Sequence, residues 1–208
     1  DELATLFSAE ITDGIDAHDY GAPVVQRTPH RAGVIKIATN GDFTPREERI
    51  FAAAAEAHRR TGCPILTHTE HGEGALAQIE QLRARGVDLR HVCLSHVDQI
   101  MDADYHRELL ASGVRLEYDS AFRWPAAVGN PTRDLLLALL PEFPDQLMLG
   151  MDAARRSYWR SYGGAPGLSF LLTDFSAQLR AAGLSAEALH RLFVTTPAET
   201  FSFAAVAS

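Results

Sequence analysis

Gly33-Val34-Ile35-Lys36-Ile37-Ala38 decides how the chain is read. β-Branched and apolar residues flank a single charge, the run is entered through Gly33 and it is left through Thr39-Asn40-Gly41, which reads as a short buried strand. Of the 19 Lys and Arg residues, only Lys36 is lysine. A lysine amine can lose its proton and act as a nucleophile, whereas a guanidinium stays charged. A lysine buried in a strand must be paired, shifted in pKa or chemically changed. Lys36 therefore reads either as a modified metal ligand or as a structural lysine salt-bridged at a strand end.

Outward from Lys36, the pattern repeats. Residues 2 to 16 carry Leu3, Leu6, Phe7, Ile11 and Ile15 at helical spacing, and residues 18 to 32 form a polar loop or short insertion. After Lys36, Thr44-Pro45-Arg46-Glu47 is a helix start with a capping box, and Thr61-Gly62 closes that helix. Strands follow at Pro64–His68, His91–His96, Val114–Tyr118 and Gln146–Asp152. Helices are expected between them at Glu73–Arg85, Asp102–Ala111 and from Asn130 to Leu140. A Gly-rich loop from Arg155 to Gly167 leads to helices near Leu168–Ala182 and Ala186–Phe193, with a last short one after Thr196-Pro197. Alternating strands and helices predict parallel βα units in a single α/β domain over residues 1–208. A doubly wound sheet and a (β/α)8 barrel both fit, and no Gly-x-Gly-x-x-Gly follows any strand.

Composition narrows the function. A net charge of -8 and a pI near 5.5 argue against nucleic-acid partners and against a basic membrane patch. No run approaches the roughly 18 apolar residues of a membrane span. Cys63 and Cys93 lie before or within apolar runs and read as small buried residues of a reducing, cytoplasmic compartment.

Metal-capable side chains fall at or near strand C-termini: Lys36, His68, His96 and Asp152, with Glu117, Tyr118 and Asp119 on the fourth strand. Leu-Thr-His-Thr-Glu and Leu-Ser-His-Val-Asp repeat one placement twice, and active sites of α/β folds are built at that edge. Imidazole and carboxylate suit zinc, manganese, cobalt or iron. Arg123 and Trp124, after the fourth strand, and Tyr158 and Trp159, in the long loop after Asp152, are candidate substrate-binding residues. Asp98 is a candidate partner of a ligating histidine, and Glu70 and His71 read as solvent-facing loop residues.

The strands around Lys36, His68, His96 and Asp152 resemble the phosphotriesterase family of the amidohydrolase superfamily, as does the tail Val194-Thr195-Thr196-Pro197-Ala198. Tyr162-Gly163-Gly164 resembles the phosphotriesterase-related branch more than the classical organophosphate hydrolases. The resemblance implies a (β/α)8 TIM barrel with two divalent metals, zinc first among the candidates, at the strand C-termini. It implies that Lys36 is N-carboxylated and bridges the metals, that His68 and His96 bind the second metal, and that Asp152 binds the first and takes a proton from a bridging hydroxide. The implied reaction is hydrolysis of a small-molecule ester, lactone or phosphotriester, with lactones and carboxyl esters favoured, in a barrel that often pairs as a homodimer. The alternative is a barrel that binds a small molecule without turning it over.

The family begins with a strand ending in His-x-His, and this sequence has none. The resemblance therefore implies about the last five βα units of a barrel, the C-terminal portion of a larger protein. Lys36 and Asp152 are then the only first-metal ligands in the chain.

Overall fold

The computed structural model describes residues 2–41 and 43–206, so positions 1, 42, 207 and 208 of the expected single domain lie outside it. Five parallel strands form one sheet in the order β1-β2-β3-β4-β5: Ile35–Ala38, Ile65–His68, Val92–Ser95, Arg115–Tyr118 and Leu147–Leu149. Each strand pairs with the next in sequence. A doubly wound sheet would reverse its order at a switch point, so this arrangement is an arc of barrel wall.

Register sorts the side chains onto two faces. Ile35 aligns with Ile65, and Thr67 with Leu94, then Leu116, then Leu147; these residues point outward and are buried. The helices α1 (Glu2–Thr12), α2 (Pro45–Thr61), α3 (Ala75–Arg83), α4 (Ala103–Ala111) and α5 (Pro131–Leu139) supply Ile11, Phe51, Ile79, Leu109 and Leu136 to the core they share with this face. The opposite face carries Lys36, Leu66, Cys93 and Arg115 in one row and Ala38, His68, Ser95, Glu117 and Met148 in the next. Side chains two apart share a face, so a strand with alternating roles places apolar residues on the helices and polar ones inside the arc.

Lys36 departs from the expectation of a buried residue. The outward residues of β1 are buried; Lys36 alternates onto the inner face of an end strand of the arc and is exposed there, whereas Cys93, Ser95 and Met148 farther along that face are buried. The capping box at Thr44 forms as expected, with Glu47 N–H donating to Thr44 Oγ1 (3.3 Å) and Thr44 N–H to Glu47 Oε2 (2.8 Å).

Several boundaries move. α1 ends at Thr12 because Gly14, at φ 123°, turns the chain, and Ile15 then pairs with Thr28 and His30 in a closed loop. The tail winds continuously from Ala186 through Thr200: α7 (Ala186–His190) passes into a π-helical turn (Arg191–Thr195) and then α8 (Thr196–Thr200). Pro197 sits in the first turn of α8 and needs no break before it. A similar π turn, Leu171–Phe175, precedes α6 (Ser176–Ala181).

Candidate metal centre and substrate cleft

His68 is the last residue of β2 and His96 follows β3, so both imidazoles stand at the C-terminal edge of the sheet, with ring centroids 4.6 Å apart. Each ring has one nitrogen occupied by a carboxylate. His68 Nε2 lies 3.2 Å from Glu70 Oε2, and His96 Nδ1 lies 2.5 Å from Asp119 Oδ2. No contact among the described residues engages His68 Nδ1 or His96 Nε2. A carboxylate on the far nitrogen fixes tautomer and ring orientation and raises basicity, a recurrent arrangement at metal-ligating histidines. The Asp119 contact raises the His96 pKa against the opposing effect of burial, and the His68 contact lowers that of Glu70.

Asp152 lies three residues beyond β5. His96, Asp119 and Asp152 each offer one donor atom, and these atoms fall within 4.8 Å of one another. His96 and Asp152 adopt positive φ, 69° and 39°, a conformation that non-glycine residues adopt at a cost and that recurs at functional sites. Lys36 faces the same space from β1. Its ammonium is partly withdrawn from water against the sheet, which holds its pKa below the ordinary lysine value, with Glu117, Cys93, Asp152 and Asp119 opposing that shift.

Beneath these groups, Glu117 lies on the inner face against Gly150, where a Cβ would run into its carboxylate. Burial pushes its pKa up to about 7, with the Asp119 charge adding to the rise and the Ser95 hydroxyl opposing it. Gln78, fully buried on α3, donates to Thr39 Oγ1 (2.7 Å) and to the His68 carbonyl (2.8 Å), tying the ends of β1 and β2 together.

Asp98 does not touch His68 or His96. Its buried carboxylate accepts from Ser120 N–H (2.9 Å), from Ser120 Oγ (3.2 Å) and from Thr132 Oγ1 (2.6 Å). Thr132 Oγ1 in turn accepts from Trp124 Nε1 at 2.8 Å. Asp98 thus anchors the loop after β4 from its first residues, which seats Asp119 beside His96 and Trp124 at the cleft wall. The chain turns left-handed at His96, which carries Asp98 under the β4 loop and away from the ring, so Asp119 takes the position expected of Asp98.

A cleft of about 460 Å³ opens above the strand ends, lined by Arg123, Trp124, Asp152, Tyr158, Arg155, Ser120, His71 and Gln99 among others. Arg123 Nη2 donates to Asp152 Oδ2 (3.0 Å) and to the carbonyls of Met151 (3.1 Å) and Asp152 (2.9 Å). Its guanidinium stacks over Phe122 and Tyr158, 5.0 and 5.9 Å from the ring centroids. Trp159 stands outside the cleft lining and donates from Nε1 to the Ala153 carbonyl at 2.9 Å, bracing the loop. Glu70 and His71 are exposed loop residues, as expected, and each also makes a contact at the site: Glu70 holds His68 and His71 lines the cleft. Arg155 makes no ion pair or side-chain hydrogen bond among the described residues.

A parallel sheet arc with histidine, carboxylate and lysine side chains gathered at its C-terminal edge is the architecture of a metal-dependent hydrolase barrel. The chain belongs to the phosphotriesterase family, which it matches over residues 1–201. It is 34% identical over 203 residues to a phosphotriesterase homology protein of Escherichia coli, covering 96% of this chain and 66% of that protein. It is 31% identical over 211 residues to a phospho-furanose lactonase of Mycoplasmopsis agalactiae, covering 98% of this chain and 60% of that protein. Among solved structures, an amidohydrolase from Mycoplasma synoviae superposes with a TM-score of 0.90 at 29% identity, over 100% of this chain and 61% of the other. The sheet is therefore part of the phosphotriesterase TIM-barrel fold, and the chain spans about three fifths to two thirds of the length of these relatives.

Proposed function

We propose that the protein is a metal-dependent hydrolase whose substrate is a lactone or ester bearing an anionic group, a phosphorylated furanose lactone being the leading candidate. The observation that carries the reading is the pair of neighbouring histidines, His68 and His96, each with a carboxylate at one ring nitrogen, of which His96 is gathered with Asp119 and Asp152.

The donor set fits two divalent ions in part. Lys36 as carbamate, His68 and His96 would hold the second, while Lys36 and Asp152 are what this chain offers the first. Zinc suits these donors, with manganese, cobalt or iron compatible. Such a metal pair, when bound, supplies hydroxide at neutral pH and polarises the bond under attack. Lys36 reacts with CO2 only as the neutral amine, and its lowered pKa favours that form. Arg123 occupies Oδ2 of Asp152, which leaves Oδ1 as the oxygen that would hold the first metal, so Asp152 would take a proton at Oδ2 as the Arg123 contact opens. Trp124 and Tyr158 wall the cleft, and Arg155 offers an unpaired guanidinium to an anionic substrate group. The relatives include phospho-furanose lactonases, and the E. coli homologue's structure holds phosphate in its active site, which supports a phosphorylated substrate.

This reading includes a cytoplasmic enzyme with a small-molecule substrate, no nucleic-acid or membrane partner, and pairing as a homodimer. Two free, buried cysteines accord with a reducing compartment. No helix among the described residues is long and apolar enough to cross a membrane. The test is turnover of phosphorylated furanose lactones, neutral lactones, aryl esters and phosphotriesters by the native full-length protein loaded with metal. Lactone hydrolysis is expected, reduced about 10²–10⁴-fold by Asp152→Asn. No turnover across the panel by metal-loaded protein would make it a non-catalytic binding barrel.

A further inference from the structure

His71 stands in a left-handed turn, φ 53° and ψ 25°, between Glu70 and Gly72. Glycine would adopt that conformation freely, whereas histidine adopts it at a cost. Packing does not account for the choice, because the side chain is 75% exposed. Five non-glycine residues among those described have positive φ: Asp19, Tyr20, His71, His96 and Asp152. The last two belong to the candidate metal centre, and His71 lines the cleft beside it. The ring is also aimed. Nε2 lies 3.1 Å from Glu70 Oε1, and Nδ1 lies 3.0 Å from the Gln99 carboxamide, which is itself in the cleft lining. Glu70 is thereby shared: one oxygen faces His71, the other faces His68.

From this arrangement we infer that His71 is a specificity-determining residue, gripping the anionic end of the substrate from the β2 side of the cleft as Arg155 does from the β5 side. Glu70 is the fixed partner that holds the ring upright. Both ring nitrogens face acceptor oxygens, so the ring serves as a double donor, and the Gln99 contact is the exchangeable one: an anionic substrate oxygen takes the place of Gln99 Oε1 at Nδ1–H. The strained turn is what carries the ring over the cleft. This assignment rests on the hydrolase reading for its substrate, and it is tested by binding as well as by turnover.

Two variants separate the ring from the turn. His71→Gly removes the ring while relaxing the backbone, so the fold is not at risk. His71→Asn retains a side-chain donor on a residue that tolerates the left-handed region. Calorimetric titration of the metal-loaded full-length protein with glycerol 3-phosphate, against glycerol as the uncharged control, reads the grip directly. Loss of one hydrogen bond to a charged group predicts affinity for glycerol 3-phosphate about tenfold weaker in His71→Gly, with partial recovery in His71→Asn. Metal content is expected to stay constant. In turnover, the ratio of kcat/KM for a phosphorylated over an unphosphorylated lactone falls by a similar factor, through KM. Unchanged affinity for glycerol 3-phosphate in His71→Gly overturns the assignment. So does a parallel loss of metal, since the ring would then act only through Glu70 and His68. If the wild type turns over no lactone but the affinity still depends on His71, the hydrolase reading fails and the anion grip stands.

Discussion

The two faces of one five-stranded sheet follow opposite rules. The outward face, with Ile65, Leu94, Leu116 and Leu147, is apolar, buried and covered by helices. The inward face of the same strands carries Lys36, His68, Ser95 and Glu117, where burial works against charge and shifts ionisation. Residues adjacent in sequence thus do unrelated work. Stability is concentrated on one side, and the chemistry is held on the other, at the edge where the strands end.

Substitutions on either face should break that contrast if it is wrong. The largest stability effect belongs to the outward face. Leu94→Ala removes a fully buried side chain and is expected to cost about 2–5 kcal/mol in denaturant unfolding, with the metal stoichiometry of the surviving folded protein unchanged. Asp119→Asn should act in the other sense. It leaves the core intact and weakens metal affinity about 10–100-fold in a competition titration with a chelator, because His96 loses the carboxylate that orients it. An equal loss of stability in both variants would collapse the distinction between the faces.

A smaller, pH-dependent effect sharpens it further. Glu117 has its folded pKa raised to about 7 from an ordinary value of 4.5. Between those values the folded state binds more protons than the unfolded one, so this group's contribution to stability falls as pH rises from about 4.5 to about 7. Glu117→Gln should remove that slope and leave the protein more stable than wild type by about 1–3 kcal/mol at pH 8. Identical pH profiles for the two proteins would show that Glu117 carries no such strain.

Much of this was legible in the sequence because it depends on short-range signals. The strands follow from apolar alternation, the start of α2 from Thr44 and Glu47, and the strand-end position of His68 and His96 from their matched settings. The partners of those histidines were harder. Asp119 reaches His96 from the neighbouring strand, and nothing in linear spacing distinguishes it from Asp98, which is nearer in the chain but turned away beneath the β4 loop. Glu70 reads as a loop residue until the turn at His71 folds it back on His68. Lys36 reads as buried because its neighbours Ile35 and Ile37 are, whereas its own side chain alternates onto the inner face of an end strand.

The most direct test is the metal content per chain of native full-length protein purified without chelator, alongside Lys36→Ala and His96→Ala. The account predicts close to two divalent ions in the wild type and a loss of at least one in each variant, with folding retained. A well-folded wild type without metal, or variants that keep the full complement, would contradict it.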